Sequence, residues 1–150
     1  MATAADSSSI LICPSCGAAN RAPASRALTD GKCGKCHAPL SALAPVDVDG
    51  DTLNRLIARD TGPFVLDVWA PWCGPCRMMA PAYDAAAKRL GDRVRFFKLN
   101  SDQHQEAAAG LNIRGIPTLL AWNDGQIIAQ QAGAQTGDGL IRWISSTFKL

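Results

Sequence analysis

The sequence of 150 residues has few of the features that would place it in a special class. No apolar run is long enough to cross a bilayer, and we therefore expect no membrane partner. Residues 1–9 have neither a basic stretch nor an apolar core, which argues against a targeting peptide. The formal net charge is only +2, and residues 1–45 carry all of it, so we expect no nucleic-acid partner. The composition, 47% hydrophobic and 19% charged, is that of a globular protein.

Cysteine is the residue type that is present in an informative pattern. Six cysteines fall into three Cys-x-x-Cys pairs. In a secreted chain an even number of cysteines would suggest a framework of disulfides. Without a targeting peptide, metal binding and redox catalysis are favoured, and we expect a cytoplasmic protein.

The chain is predicted to have four parts. Residues 1–9 are expected to be a disordered tail, residues 10–40 a small unit around two cysteine pairs, and residues 41–45 a linker. From residue 46 to residue 150 the pattern alternates between strands and helices in the order βαβαβαββα. The apolar residues 64–70 predict a central strand buried on both faces.

The third cysteine pair, Cys73-Gly74-Pro75-Cys76, lies between that apolar strand and a predicted helix. A helix N-terminus carries partial positive charge and unpaired N–H groups, which favour thiolate over thiol. The thiolate is the nucleophile, so the first cysteine is predicted to attack and the second to resolve the mixed disulfide. A static disulfide or half of a metal site is the alternative interpretation.

The flanks of this pair resemble the thioredoxin family. The matching segments are residues 67–76, 98–100, 114–118 and 133–134, in the family's order and spacing, and the likeness covers about residues 46–150. The resemblance implies an α/β thioredoxin fold, a central mixed β-sheet flanked by helices. It also implies a protein-disulfide reductase and electron carrier without an organic cofactor. Its expected partners are disulfide-containing proteins and an NADPH-dependent thioredoxin reductase.

The resemblance also assigns roles to individual residues. Asp67 is expected to be a buried proton acceptor for Cys76, with Lys98 as its partner; the alternative for Lys98 is an exposed position on the polar face of its strand. The bond between Ile116 and Pro117 is expected to be cis. A flat apolar surface that binds extended substrates is expected around Cys73, formed by Trp72, Gly74, Pro75, Ile116, Pro117, Gly133 and Ala134.

The first two cysteine pairs have the spacing of a zinc site. Cys13 and Cys16 are separated from Cys33 and Cys36 by sixteen residues, which is typical of two knuckles around one tetrahedral Zn²⁺. A unit of about thirty residues cannot be stabilised by core burial alone, so it needs a metal or a cross-link. We expect one structural zinc per chain, with two disulfides or free thiols as the alternative. Cysteine pairs ahead of such a domain resemble the zinc-containing bacterial type of the family, thioredoxin 2.

Two other functions remain open at this point. The zinc unit could lose its metal on oxidation, which would suit a redox-regulated chaperone in an oxidative stress response. Alternatively, the chain could be a binding module in which the zinc unit recruits a partner and the rest is a scaffold. The intact Cys-Gly-Pro-Cys motif argues against a scaffold alone.

Overall fold

The computed structural model describes residues 8–150. Residues 1–7 of the predicted tail lie outside the described residues, whereas Ser8 and Ser9 belong to the first strand. The strands are β1 Ser8–Ile12, β2 Ala19–Pro23, β3 Val46–Asp47, β4 Phe64–Trp69, β5 Arg95–Asn100, β6 Thr118–Asn123 and β7 Gln126–Ala132. The helices are α1 Gly50–Arg59, α2 Gly74–Leu90, α3 Gln105–Ala109 and α4 Asp138–Phe148. From β3 onward this is the predicted order of elements.

Five strands form a mixed sheet in the order β3-β5-β4-β6-β7. β4 is parallel to β5 and antiparallel to β6, so it lies in the middle of the sheet. Its alternate residues are buried on opposite faces: Leu66 packs in the core on the side of α1, and Val65 packs against α2 and α4. This double burial confirms the central strand that the apolar run predicted. The mixed sheet with helices on both faces agrees with the α/β fold that the resemblance implied.

The residues at the N-cap positions define where α1 and α2 begin. Asp49 is the N-cap of α1 and accepts a hydrogen bond from the Thr52 backbone N–H at 2.7 Å. α2 begins at Gly74, because Cys73 occupies the N-cap position, and Pro81 lies inside this helix.

The N-terminal unit consists of the β1–β2 hairpin and the two cysteine turns, and it packs against α1. The segment predicted to be a linker is in contact with the rest of the fold. Ser41 is buried, and its hydroxyl donates a hydrogen bond to the carbonyl of Gly91 at 2.9 Å. Across residues 8–150, none of the helices combines the length and the apolar character needed to cross a membrane.

Candidate functional site

The redox pair lies at the carboxyl end of β4 and the N-terminus of α2. Cys73 and Cys76 form a disulfide with their Cα atoms 5.2 Å apart, and the Cys76 backbone N–H points at the Cys73 sulfur at 3.2 Å. That N–H would stabilise a Cys73 thiolate after reduction. Both cysteines are buried in the disulfide, with Cys73 4% and Cys76 3% exposed. Trp69 and Ile116 pack against this pair and cover it.

The loop that precedes β6 lies beside the disulfide. The bond between Ile116 and Pro117 is cis, as the resemblance implied, and the Ile116 carbonyl oxygen lies 3.9 Å from the Cys73 sulfur. Gly133 donates its backbone N–H to the Pro117 carbonyl at 2.9 Å, which places the segment after β7 beside this proline. Gly133 has φ of +92°, a conformation that glycine adopts without a steric cost.

The predicted substrate surface is largely open to solvent. Trp72 is 67% exposed, Pro75, Gly133 and Ala134 are exposed, and Gly74 has no heavy atom within 4 Å of the place where a Cβ would be. Ile116 is half-buried and Pro117 is buried. A partner chain can therefore approach the backbone at Gly74 closely.

Met78 is a surface residue beside this site that the sequence analysis did not name. Its side chain is 70% exposed, and it lies four residues after Gly74 on α2. Residues four apart share one face of a helix, so the spacing from Gly74 could have indicated it.

Asp67 is the buried carboxyl group of the site. It lies on β4 directly across the parallel pairing from Lys98 on β5, is 1% exposed, and its Oδ1 has no hydrogen-bond partner among residues 8–150. Burial raises the pKa of Asp67 to about 7, and the positive charge of Lys98 opposes that rise. The Lys98 ammonium lies 4.5 Å from the centre of the Trp69 ring. The structure thus brings together the acid and the lysine that the sequence analysis paired.

Removing the charge of Lys98 is expected to raise the pKa of Asp67 further. In Lys98→Met the carboxylate loses the one favourable charge that offsets its burial, and we expect an upward shift of about one pH unit. The measurement is the pH titration of the Asp67 carboxyl carbon by NMR in the oxidised protein. Lys88→Met, on the last turn of α2, is the matched control and should leave the titration unchanged. An unchanged midpoint in Lys98→Met would mean that the ammonium acts only on the Trp69 ring.

The four remaining cysteines form one cluster in the N-terminal unit. The sulfur atoms of Cys13, Cys16, Cys33 and Cys36 all lie within 4.8 Å of one another, and two of the sulfur pairs are 3.6 Å apart. A tetrahedral Zn²⁺ with Zn–S bonds of about 2.3 Å needs sulfurs about 3.8 Å apart, so the cluster fits zinc. Backbone N–H groups of Cys36 and Lys35 lower the pKa of Cys33 to about 6, whereas burial and the neighbouring sulfurs raise the pKa of Cys36 to about 11. Four thiolates this close together therefore need a cation to offset their charge.

The cysteine cluster and the redox pair lie at opposite ends of the central strand. Cys73 follows the carboxyl end of β4, whereas the N-terminal unit contacts the chain before its amino end, where Thr61 donates its backbone N–H to the carbonyl of Ile10 at 2.9 Å. The six residues of β4 span about 20 Å between the Ile10–Thr61 contact and the segment at Cys73. The four clustered cysteines therefore do not line the redox surface.

Comparisons with known proteins agree with both sites. The thioredoxin family model matches residues 44–146, and the model of the N-terminal unit of thioredoxin 2 matches residues 12–38. Thioredoxin C-3 of Corynebacterium nephridii is 36% identical over 90% of this chain and 92% of its own. Thioredoxin of Haemophilus influenzae is 43% identical over 65% of this chain and 90% of its own. The solved structure of a thioredoxin variant from Halobacterium salinarum has a TM-score of 0.64 at 31% identity, covering 73% of this chain and 96% of that one. The chain therefore belongs to the thioredoxin family and has the N-terminal zinc ribbon of the thioredoxin 2 type.

Proposed function

We propose that this chain reduces disulfides in other proteins through Cys73 and Cys76 and that an NADPH-dependent thioredoxin reductase regenerates its dithiol. Membership of the thioredoxin family makes the chain a thiol–disulfide oxidoreductase of the protein-disulfide reductase type. The observation that supports the roles of Cys73 and Cys76 is their disulfide, which lies at the N-terminus of α2 beneath an exposed apolar surface.

The first step is attack on the target disulfide. The Cys73 thiolate bonds to one target sulfur, the target disulfide breaks, and the other target sulfur leaves as a thiolate that takes a proton from solvent. The N–H of Cys76 and the N-terminus of α2 stabilise the attacking thiolate. The extended target segment lies on the surface that includes Trp72, Gly74 and the loop at Pro117.

The second step releases the reduced target. The Asp67 carboxylate accepts the proton of Cys76, whose thiolate then attacks the Cys73 sulfur and breaks the mixed disulfide. The Cys73–Cys76 disulfide forms, as in this structure, and the second target sulfur leaves with two electrons transferred in total. A pKa of about 7 suits Asp67 to this role, because a base is most effective near the working pH. Lys98 tunes that pKa.

The cysteine cluster is proposed to hold one structural Zn²⁺ per chain. All four ligand positions are cysteines, which is the pattern of a closed site without an open coordination position. Bound zinc would supply a cross-link between the two cysteine turns and no step of the redox reaction. A reducing compartment, the cytoplasm, is proposed because these cysteines must stay reduced to bind metal.

The proposal is tested by insulin-disulfide reduction with two electron sources. In one arm NADPH and a bacterial thioredoxin reductase supply electrons, and in the other dithiothreitol supplies them; a mixture without this chain is the blank. We expect acceleration over the blank in both arms. Acceleration with dithiothreitol alone would reject the reductase as partner and keep the disulfide reductase, whereas no acceleration by the folded chain in either arm would reject the proposal.

A further inference from the structure

The N-terminal unit is joined to the thioredoxin fold by buried contacts as well as by the chain. Ile12, the residue before the first zinc ligand, is fully buried and packs in the same core cluster as Leu56, Phe64 and Trp122. A Cβ on Gly62 would lie 2.5 Å from the Leu11 Cδ2 atom, so the two units are in close contact there and Leu11 would have to shift to admit a larger residue. Cys13, the first metal ligand, is therefore the next residue in the chain after a residue of the thioredoxin core.

A buried ion pair lies at the centre of this contact. Asp60, the residue after α1, and Arg95, the first residue of β5, meet at 2.6 Å with side chains 0% and 1% exposed. It is the one ion pair found among residues 8–150. Sequence analysis did not single out either residue, because they are 35 positions apart and neither lies in a motif.

The Asp60–Arg95 pair contacts both ends of the N-terminal segment that contains the four cysteines. Asp60 accepts the backbone N–H of Ile12 at 2.8 Å, and Arg95 donates to the Ile12 carbonyl, so both polar backbone groups of that residue are held. Arg95 also donates its Nε–H to the carbonyl of Leu40 at 2.9 Å. Ile12 immediately precedes Cys13, and Leu40 follows the last ligand, Cys36, by four residues. One guanidinium therefore fixes both ends of the segment that carries the metal ligands.

We propose that the Asp60–Arg95 pair couples zinc binding to the stability of the whole thioredoxin domain. Without the metal, a unit of this size cannot remain folded, and Ile12 and Leu40 would leave their places on the domain. The pair would then lose its backbone partners and the core would lose Ile12. Because such coupling is reciprocal, weakening the pair weakens zinc binding. Arg95 and Asp60 are thus positioning residues for the metal site, although they lie in the other unit.

This inference rests on the proposed zinc site but not on disulfide reduction, and the wild-type chain tests it first. All four tryptophans lie between residues 69 and 143, so tryptophan fluorescence reports only on the thioredoxin domain. The zinc content of the purified chain is measured, and thermal unfolding is followed with and without chelator in the presence of a phosphine reductant. We expect one zinc per chain and a tryptophan transition at least about 5 °C lower after zinc removal.

Variants then test the pair itself through zinc affinity, measured by competition with a chromophoric chelator. Arg95→Met is expected to weaken zinc binding about 10- to 100-fold, as loss of a residue that orients a metal ligand does. Arg93→Met is the matched control, since Arg93 is exposed on the loop before β5, and its affinity should equal that of the wild type. Asp60→Asn is the milder variant. It keeps a side-chain oxygen for the Ile12 N–H but removes the negative charge opposite Arg95, and it should weaken zinc binding less than Arg95→Met.

The outcomes separate three cases. A wild-type chain that binds no zinc overturns both the zinc site and the coupling. A zinc-binding chain whose tryptophan transition does not move on zinc removal overturns the coupling alone. Wild-type zinc affinity in a folded Arg95→Met also overturns it. If Arg95→Met does not fold, an unchanged zinc affinity in Asp60→Asn counts against the proposal, and a weakened one supports it.

Discussion

Replacing Cys73 by serine is expected to lower the rate of insulin reduction by about 1,000-fold or more, to the level of the blank. A serine hydroxyl is not ionised at neutral pH, so the N–H of Cys76 has no thiolate to stabilise and no mixed disulfide forms. The measurement is the initial rate with dithiothreitol or with reductase and NADPH. Turnover close to that of the wild type would move the chemistry to another thiol, and Cys36, the exposed cysteine of the metal cluster, would be the first candidate.

Cys76→Ser is the matched variant for the same prediction. It keeps the attacking thiolate and removes the resolving one, so turnover should be lost while the first step remains. We expect a mixed disulfide between Cys73 and an insulin chain, seen as an added mass that dithiothreitol removes. Cys73→Ser should form no such complex at this site. A complex formed equally by both variants would contradict the assigned order of attack.

Replacing Asp67 by asparagine is expected to stabilise the oxidised protein by up to about 4 kcal/mol at pH 8 and by almost nothing near pH 4. The pKa of Asp67 is raised in the folded state from 3.8 to about 7, so the folded protein binds the proton more tightly than the unfolded chain. Stability is therefore lost as the pH rises from about 4 to about 7, and each unit corresponds to about 1.4 kcal/mol. Asparagine does not ionise and avoids that cost.

Urea unfolding at the two pH values measures this effect. Asp84→Asn, at an exposed position on α2, is the control and should change stability little at either pH. The same Asp67→Asn variant should accumulate the mixed disulfide, with release of the target slowed about 100-fold because the base is missing. A more stable variant with an unchanged release rate would leave the buried carboxyl without a role as base. An unchanged stability at pH 8 would show that Asp67 is not strongly desolvated.

Much of the redox site could be predicted because its determinants are local. The apolar run before Cys73 and the helix-forming residues after Cys76 place the pair between a strand and a helix whatever the rest of the chain does. The four clustered cysteines belong to two short motifs, and only the contact between these motifs depends on the fold. The burial of Cys73 in the disulfide could not be predicted, because Ile116, which packs against the pair, is 43 residues away in the sequence.

The sequence by itself determined the chemistry: two thiols at a helix N-terminus, an acid in an apolar strand and two cysteine pairs at metal-binding spacing. These depend on residues within one or two turns of one another, where propensity and spacing act directly. Only the tertiary structure decided that Asp67 faces Lys98, that the metal cluster lies at the far end of β4, and that Asp60 and Arg95 join the two units. Each of these depends on strand register and on burial between distant segments, because a buried charge is stable only where the fold brings its partner.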